Sequence, residues 1–328
     1  MPRLMPNPTP SSFLWLPGQG PNSVAHERMK GAFSKPKKPM GEAWFMSPVR
    51  EMYPQLLNEL KTIADSEIKR PLEEIASGSS NFGPHDEWIE WYRYLLPRLL
   101  EREWGPYLDH PVELLITSFM AQHPEANGSL PYASFQADAL ETLGRYIMAP
   151  HFWSGAEYGS PACFNKWQGS SGICGWYAAD GLFSASLFFC AKYLSAELVY
   201  PWFQSVVSIP NKYWRAQVIA WLVGAHPILT DVISQPAQFP EKGPFSVDWD
   251  WSHTLNGNYS GNHEPPIQRI PFLAFQNRQA ILHVARRIET EEFFEELLTD
   301  PELETVAAET AGMPERFIEL YGDNPPFC

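Results

Sequence analysis

The sequence predicts an all-α fold: an irregular solenoid-like stack of antiparallel helix pairs with long aromatic loops and an extended N-terminal arm. Apolar residues recur at three- and four-residue intervals through most of positions 48–230. Prolines close several of those periodic runs, and no convincing series of alternating strands appears anywhere.

Taken in order, residues 1–47 are rich in Pro, Gly, Ser and Asn and carry scattered aromatics such as Trp15 and Phe33. They lack sustained periodicity, so an extended arm lying along the body is expected. After Pro48, the spacing of Met52, Leu56, Leu57, Leu60, Ile63 and Ala64 predicts an amphipathic helix, with a short one following at 71–76. The block HDEWIEWYRYLLPRLLERE is the clearest helix. Trp88, Trp91, Tyr92, Leu95, Leu96 and Leu99 form its apolar stripe, Glu87, Glu90 and Arg93 lie opposite, and Pro97 predicts a kink. The next helix takes Pro111 at its first position, turns Leu115, Ile116, Phe119 and Met120 inward, and stops at His123-Pro124. Another begins near Pro131, buries Phe135, Ala139, Leu143 and Ile147, and ends at Pro150.

Residues 150–179 read as an irregular, glycine-bearing stretch. A helix over 181–207, bent at Pro201, and one over 211–225, stopping at His226-Pro227, are expected next. The chain then divides as a Pro-rich arm (1–47), a helical-repeat-like domain (48–230), a long surface loop (231–270), and C-terminal helices on the same body (271–328).

Composition narrows the function classes. The formal charge of −14, from 38 acidic and 24 basic side chains, disfavours non-specific nucleic-acid binding, which needs a basic footprint. It favours a protein partner, possibly a basic one. The four cysteines include no CxxC pair, so neither a disulfide framework nor a structural zinc site is indicated, and no cofactor is implied. The most apolar stretch, 182–200, is interrupted by Lys192 and Glu197 and falls short of a membrane span. A cytoplasmic setting is expected.

Shifting the chain by 103 positions places Leu115, Ile116, Phe119, Met120, His123 and Pro124 over Val218, Ile219, Leu222, Val223, His226 and Pro227. With the kinked LLPRLL helix and the following YWRAQVIAWLVG helix, this pattern resembles HEAT- or armadillo-like helical-repeat proteins over roughly 85–230. The resemblance implies a curved scaffold that binds other macromolecules, and it transfers no catalytic residue; the net negative charge suits an inhibitor or immunity-type protein covering a basic partner, and an adaptor fits equally.

Three clusters could carry chemistry. The segment WQGSSGICGW looks like the papain-type pattern, in which Gln168 would hold the oxyanion, Cys174 would be the nucleophile, and His253 or His263 the general base. It departs from that pattern where Gly175 follows the cysteine and where no Asn-Ser-Trp segment orients the histidine, so a packed structural cysteine is the favoured reading. Asp248, Asp250, His253, His263 and Glu264 are of metal-ligating type, though their loop spacing reads better as surface charge between packed aromatics. Glu87 and Glu90, near His85, fall on a polar helix face suited to ion pairing. The aromatic and acidic loop residues Asp248, Trp249, Asp250, Trp251 and Tyr259 are the expected partner contacts, with tryptophan supplying anchoring energy.

Overall fold

In a computed structural model the described residues are 12–41, 52–81, 86–102, 104, 110–124, 130–154, 157–158, 166–168, 174–176, 181–240, 247, 249–255, 271–288 and 312–322. The fold is all-α. Its helices are α1 (Ser23–Ala32), α2 (Asp65–Asn81), α3 (Asp86–Leu99), α4 (His110–Gln122), α5 (Phe135–Thr142), α6 (Gly181–Tyr193), α7 (Ala196–Val207), α8 (Lys212–Leu229), α9 (Phe275–Ala285) and α10 (Met313–Tyr321). The described extended backbone amounts to two short antiparallel pairs, Trp153–Ser154 with Glu157–Tyr158 and Lys166–Gln168 with Cys174–Trp176, plus an isolated bridge between Met40 and Tyr53. Among the described residues, no helix is long and apolar enough to cross a membrane.

The predicted stripe of α3 is buried as expected, with Trp88, Trp91, Tyr92, Leu95, Leu96 and Leu99 inside. On α4, Val112 and Leu114 are buried together with Leu115, Ile116, Phe119 and Met120, because α2, α3 and α6 all pack against this helix. A helix covered from several sides is apolar all round.

Elsewhere, long-range contacts change the predicted elements. The arm contains α1, which starts because the Asn22 side chain accepts from the amides of Val24 and Ala25, both at 3.0 Å. Its Arg28 pairs with the buried Asp138 of α5. Trp15 is fully buried: its indole N–H donates to the Gly144 carbonyl at 2.7 Å, and its ring meets Trp202 and Trp214 edge-on. The same carbonyl accepts from Cys190 Sγ at 3.4 Å, and a Cβ at position 144 would lie 3.2 Å from that sulfur. Residue 144 is therefore glycine because two neighbours need its backbone at close range.

The helix predicted from Pro48 is replaced by two 3₁₀ turns, Pro54–Leu57 and Leu60–Thr62. Arg102 takes the carbonyls of Leu60 and Ile63 at 2.8 and 2.6 Å, and Asn58 and Glu59 adopt extended backbone. In the 181–207 span the chain breaks at Leu194-Ser195, leaving Pro201 inside α7. Asn277 of α9 caps the end of α6 by donating to the Ala191 and Leu194 carbonyls at 2.8 and 3.0 Å. Finally, α8 runs through His226-Pro227 to Leu229, whereas α4 ends at Gln122, so the paired His-Pro steps do not both stop a helix. Pro227 withholds only its own N–H so near the end, while Thr230 still donates to the His226 carbonyl.

Candidate functional site

The C-terminal halves of α7 and α9 meet the first turns of α8 around a cavity of about 340 Å³. Each helix contributes a face at three- and four-residue spacing: Tyr200, Gln204 and Ser208 from α7 and the residue capping it; Arg215, Val218 and Ile219 from α8; and Val284, Arg287 and Ile288 from α9 and its C-terminal end. The floor is apolar, since Val218, Ile219 and Val284 are at most 4% exposed. The rim is polar and ordered. Gln204 Nε2 donates to Tyr200 Oη at 2.9 Å, Ser208 Oγ donates to the Gln204 carbonyl at 2.7 Å, and the Tyr200 ring lies 5.6 Å from that of His283.

Two guanidinium groups, Arg215 and the exposed Arg287, line this groove, and the exposed Arg286 neighbours them in sequence. In a chain of formal charge −14, a local concentration of positive charge over an apolar floor focuses attraction on anionic groups with an apolar neighbour. The geometry offers the exposed Arg287 guanidinium, with the partnered Arg215 beside it, and a slot for a side chain.

The residues singled out from the sequence lie elsewhere. Gln168 and Cys174 are directly opposed across the Lys166–Gln168/Cys174–Trp176 ribbon. Cys174 thus occupies a strand, seven residues before the start of α6, rather than the first turn of a helix. His253 is exposed, with Nδ1 2.8 Å from the Asp250 carbonyl and its ring stacked on Trp251 at 5.7 Å. His85, His263, Glu264, Asp248 and Tyr259 lie outside the described residues. Of the metal candidates in the loop, only Asp250 and His253 are described, and they meet through the aspartate's backbone.

No protein-family model, curated protein or solved structure matches this chain.

Trp249 corrects the expectation of a partner-facing aromatic loop. Its ring is 3% exposed, stacks on Phe188 at 5.4 Å with planes 17° apart, and donates through Nε1 to Thr117 Oγ1 at 3.1 Å. Trp251 is half-buried, and its amide donates to the buried Glu113 carboxylate at 3.3 Å. The segment Asp250–Leu255 is a 3₁₀ turn seated on α4 because α4 presents Glu113 and Thr117 one turn apart to receive it. Replacing Trp249 with Phe keeps the stack and removes the indole donor to Thr117 Oγ1, which still donates to the Glu113 carbonyl at 2.9 Å. The urea midpoint should fall by an amount equivalent to about 1 kcal/mol; no loss of stability would place the indole N–H outside the folded core.

Arg215 and Arg287 escape sequence reasoning because each sits at the edge of an apolar stripe, where arginine is an ordinary boundary residue. Only the crossing of three helices distant in sequence brings them to one groove.

Proposed function

We propose that the protein is a binding scaffold whose groove between α7, α8 and α9 holds an acidic, apolar-anchored segment of another protein. The observation that carries this reading is the pairing of Arg215 and Arg287 with the buried floor of Val218, Ile219 and Val284. A carboxylate can take the exposed Arg287, beside the already partnered Arg215, while a neighbouring Leu or Phe side chain enters the slot, dividing orientation from anchoring. Net charge alone points to a basic partner, such as a toxin covered by an inhibitor; that partner meets the wrong sign here. The row α2–α4–α6, in which each helix packs on the next, supports the HEAT/armadillo-like reading of stacked helices. No described feature favours the cysteine-hydrolase alternative, since Cys174 stands on a strand.

Peptide display on the intact protein tests this directly. Selected peptides should pair Asp or Glu with a large apolar residue, and Arg215→Glu with Arg287→Glu should weaken their binding at least tenfold by fluorescence anisotropy, with the loss shrinking at high salt. Failure to enrich any peptide, enrichment of basic ones, or binding indifferent to both charge reversals would refute the groove reading.

A further inference from the structure

On the opposite end of the chain, a histidine faces two carboxylates. His26 of α1 is 8% exposed, and its Nε2 lies 2.5 Å from the Pro97 carbonyl. A carbonyl only accepts, so Nε2 carries the proton and donates it. In the neutral ring Nδ1 then presents a lone pair. Nδ1 lies 3.6 Å from Glu101 Oε1 and 3.9 Å from Glu27 Oε1, beyond hydrogen-bond distance of both. Nδ1 and two carboxylate oxygens converge there, and the cation that now offsets their repulsion is the Lys30 ammonium on Glu101 Oε1.

We propose that His26, Glu27 and Glu101 form a Zn2+ site that clasps α1 to the end of α3. The donor set is one imidazole and two carboxylates, a combination suited to a borderline divalent ion, with solvent completing the shell. Zinc bonded to nitrogen and oxygen at its usual lengths spaces its ligands about 3.4 Å apart in a tetrahedron. The atoms here, all within 4.8 Å of one another, need only small side-chain shifts to reach that spacing. The Pro97 carbonyl already fixes the ring's tautomer and orientation, the part a backbone acceptor commonly plays behind a ligating histidine.

One group competes. Lys30 Nζ reaches Glu101 Oε1 at 2.6 Å, and an incoming ion must displace it or share the carboxylate. Lys30 therefore sets the affinity: the ammonium holds Glu101 when metal is scarce and swings to solvent when metal binds. Glu27 and Glu101 are both partly exposed, so the ion has an entry path from solvent.

The test is Zn2+ competition against a chromophoric chelator at neutral pH on the full chain, with melting followed in parallel. Wild type should take up one equivalent that Glu101→Gln and His26→Gln both lose, and that Glu27→Gln weakens. Lys30→Met should tighten it several-fold. Melting temperature should rise with free Zn2+ in wild type and Lys30→Met but not in Glu101→Gln. Because Glu101 is solvent-accessible, its variant folds even where His26→Gln is impaired. No uptake, a stoichiometry indifferent to Glu101→Gln, or an affinity that Lys30→Met fails to raise would overturn the site.

Discussion

Replacing Trp15 with Ala should destabilise the protein by about 4 kcal/mol, the scale of removing a fully buried tryptophan. The residue belongs to a segment with no sequence signal of importance, yet its ring has no exposed surface. It fills the space between Trp202 and Trp214, 5.4 and 5.8 Å away, and its loss opens a cavity at the junction of α7 and α8. It also removes the indole donor from the Gly144 carbonyl, which keeps the weak Cys190 thiol. The backbone amide of residue 15, which donates to Ser205 Oγ at 2.9 Å, survives the substitution, so the segment should stay docked while the core beneath it loosens. Urea unfolding reads the effect as a lowered midpoint at constant slope. Trp15→Phe, which keeps most of the packing and loses the indole donor, should fall between. A loss below about 1 kcal/mol for the alanine variant would mean that residues 12–20 are not part of the cooperative core.

The second large effect is a dependence on acid. His123, 5% exposed at the end of α4, lies against Phe119 and Phe135 with centroids 4.9 and 5.5 Å away. Burial first, and then the nearby Arg93 guanidinium, push its pKa down to about 4. The folded protein therefore keeps the ring neutral where the unfolded chain, titrating near 6.5, has already taken a proton. Between these values the unfolded state binds more protons, so stability rises with pH. This contribution is complete above about pH 6.5, is lost as pH falls toward 4, and amounts to at most about 3 kcal/mol. His226, lowered by burial and then by Arg316 and Arg286, adds a slope of the same sign. Urea midpoints measured from pH 4 to 8 should show wild type losing stability toward acid more steeply than His123→Gln. Parallel profiles would show that the ring is solvated in the folded state.

Both effects lie in places that the sequence marked unevenly. His123 was legible as a helix end beside a proline, and α4 does end one residue before it. Its aromatic surroundings were not, because Phe135 comes from the next helix and Arg93 from the previous one. The stripe on α3 was legible because one helix face alone decides it. In contrast, the turns at 54–62 carry a convincing helical spacing, and Arg102, some forty residues onward, with Lys35, some twenty residues before, diverts their carbonyls. Trp249 and Trp251 looked like exposed anchors, since nothing local reveals that Glu113 and Thr117 stand ready to receive that loop.

The groove was the least legible feature. Its arginines, like His26, Glu27 and Glu101 at the other cluster, are unremarkable within their own segments and gain meaning only from the elements that cross them. By itself, the sequence determined the helical class, because periodic burial is a short-range property that each segment expresses alone. Only the tertiary structure decided where helices stop, which aromatics turn inward and which charges converge. Those outcomes depend on carbonyls, cavities and cations supplied from scores of residues away, and no local pattern records them.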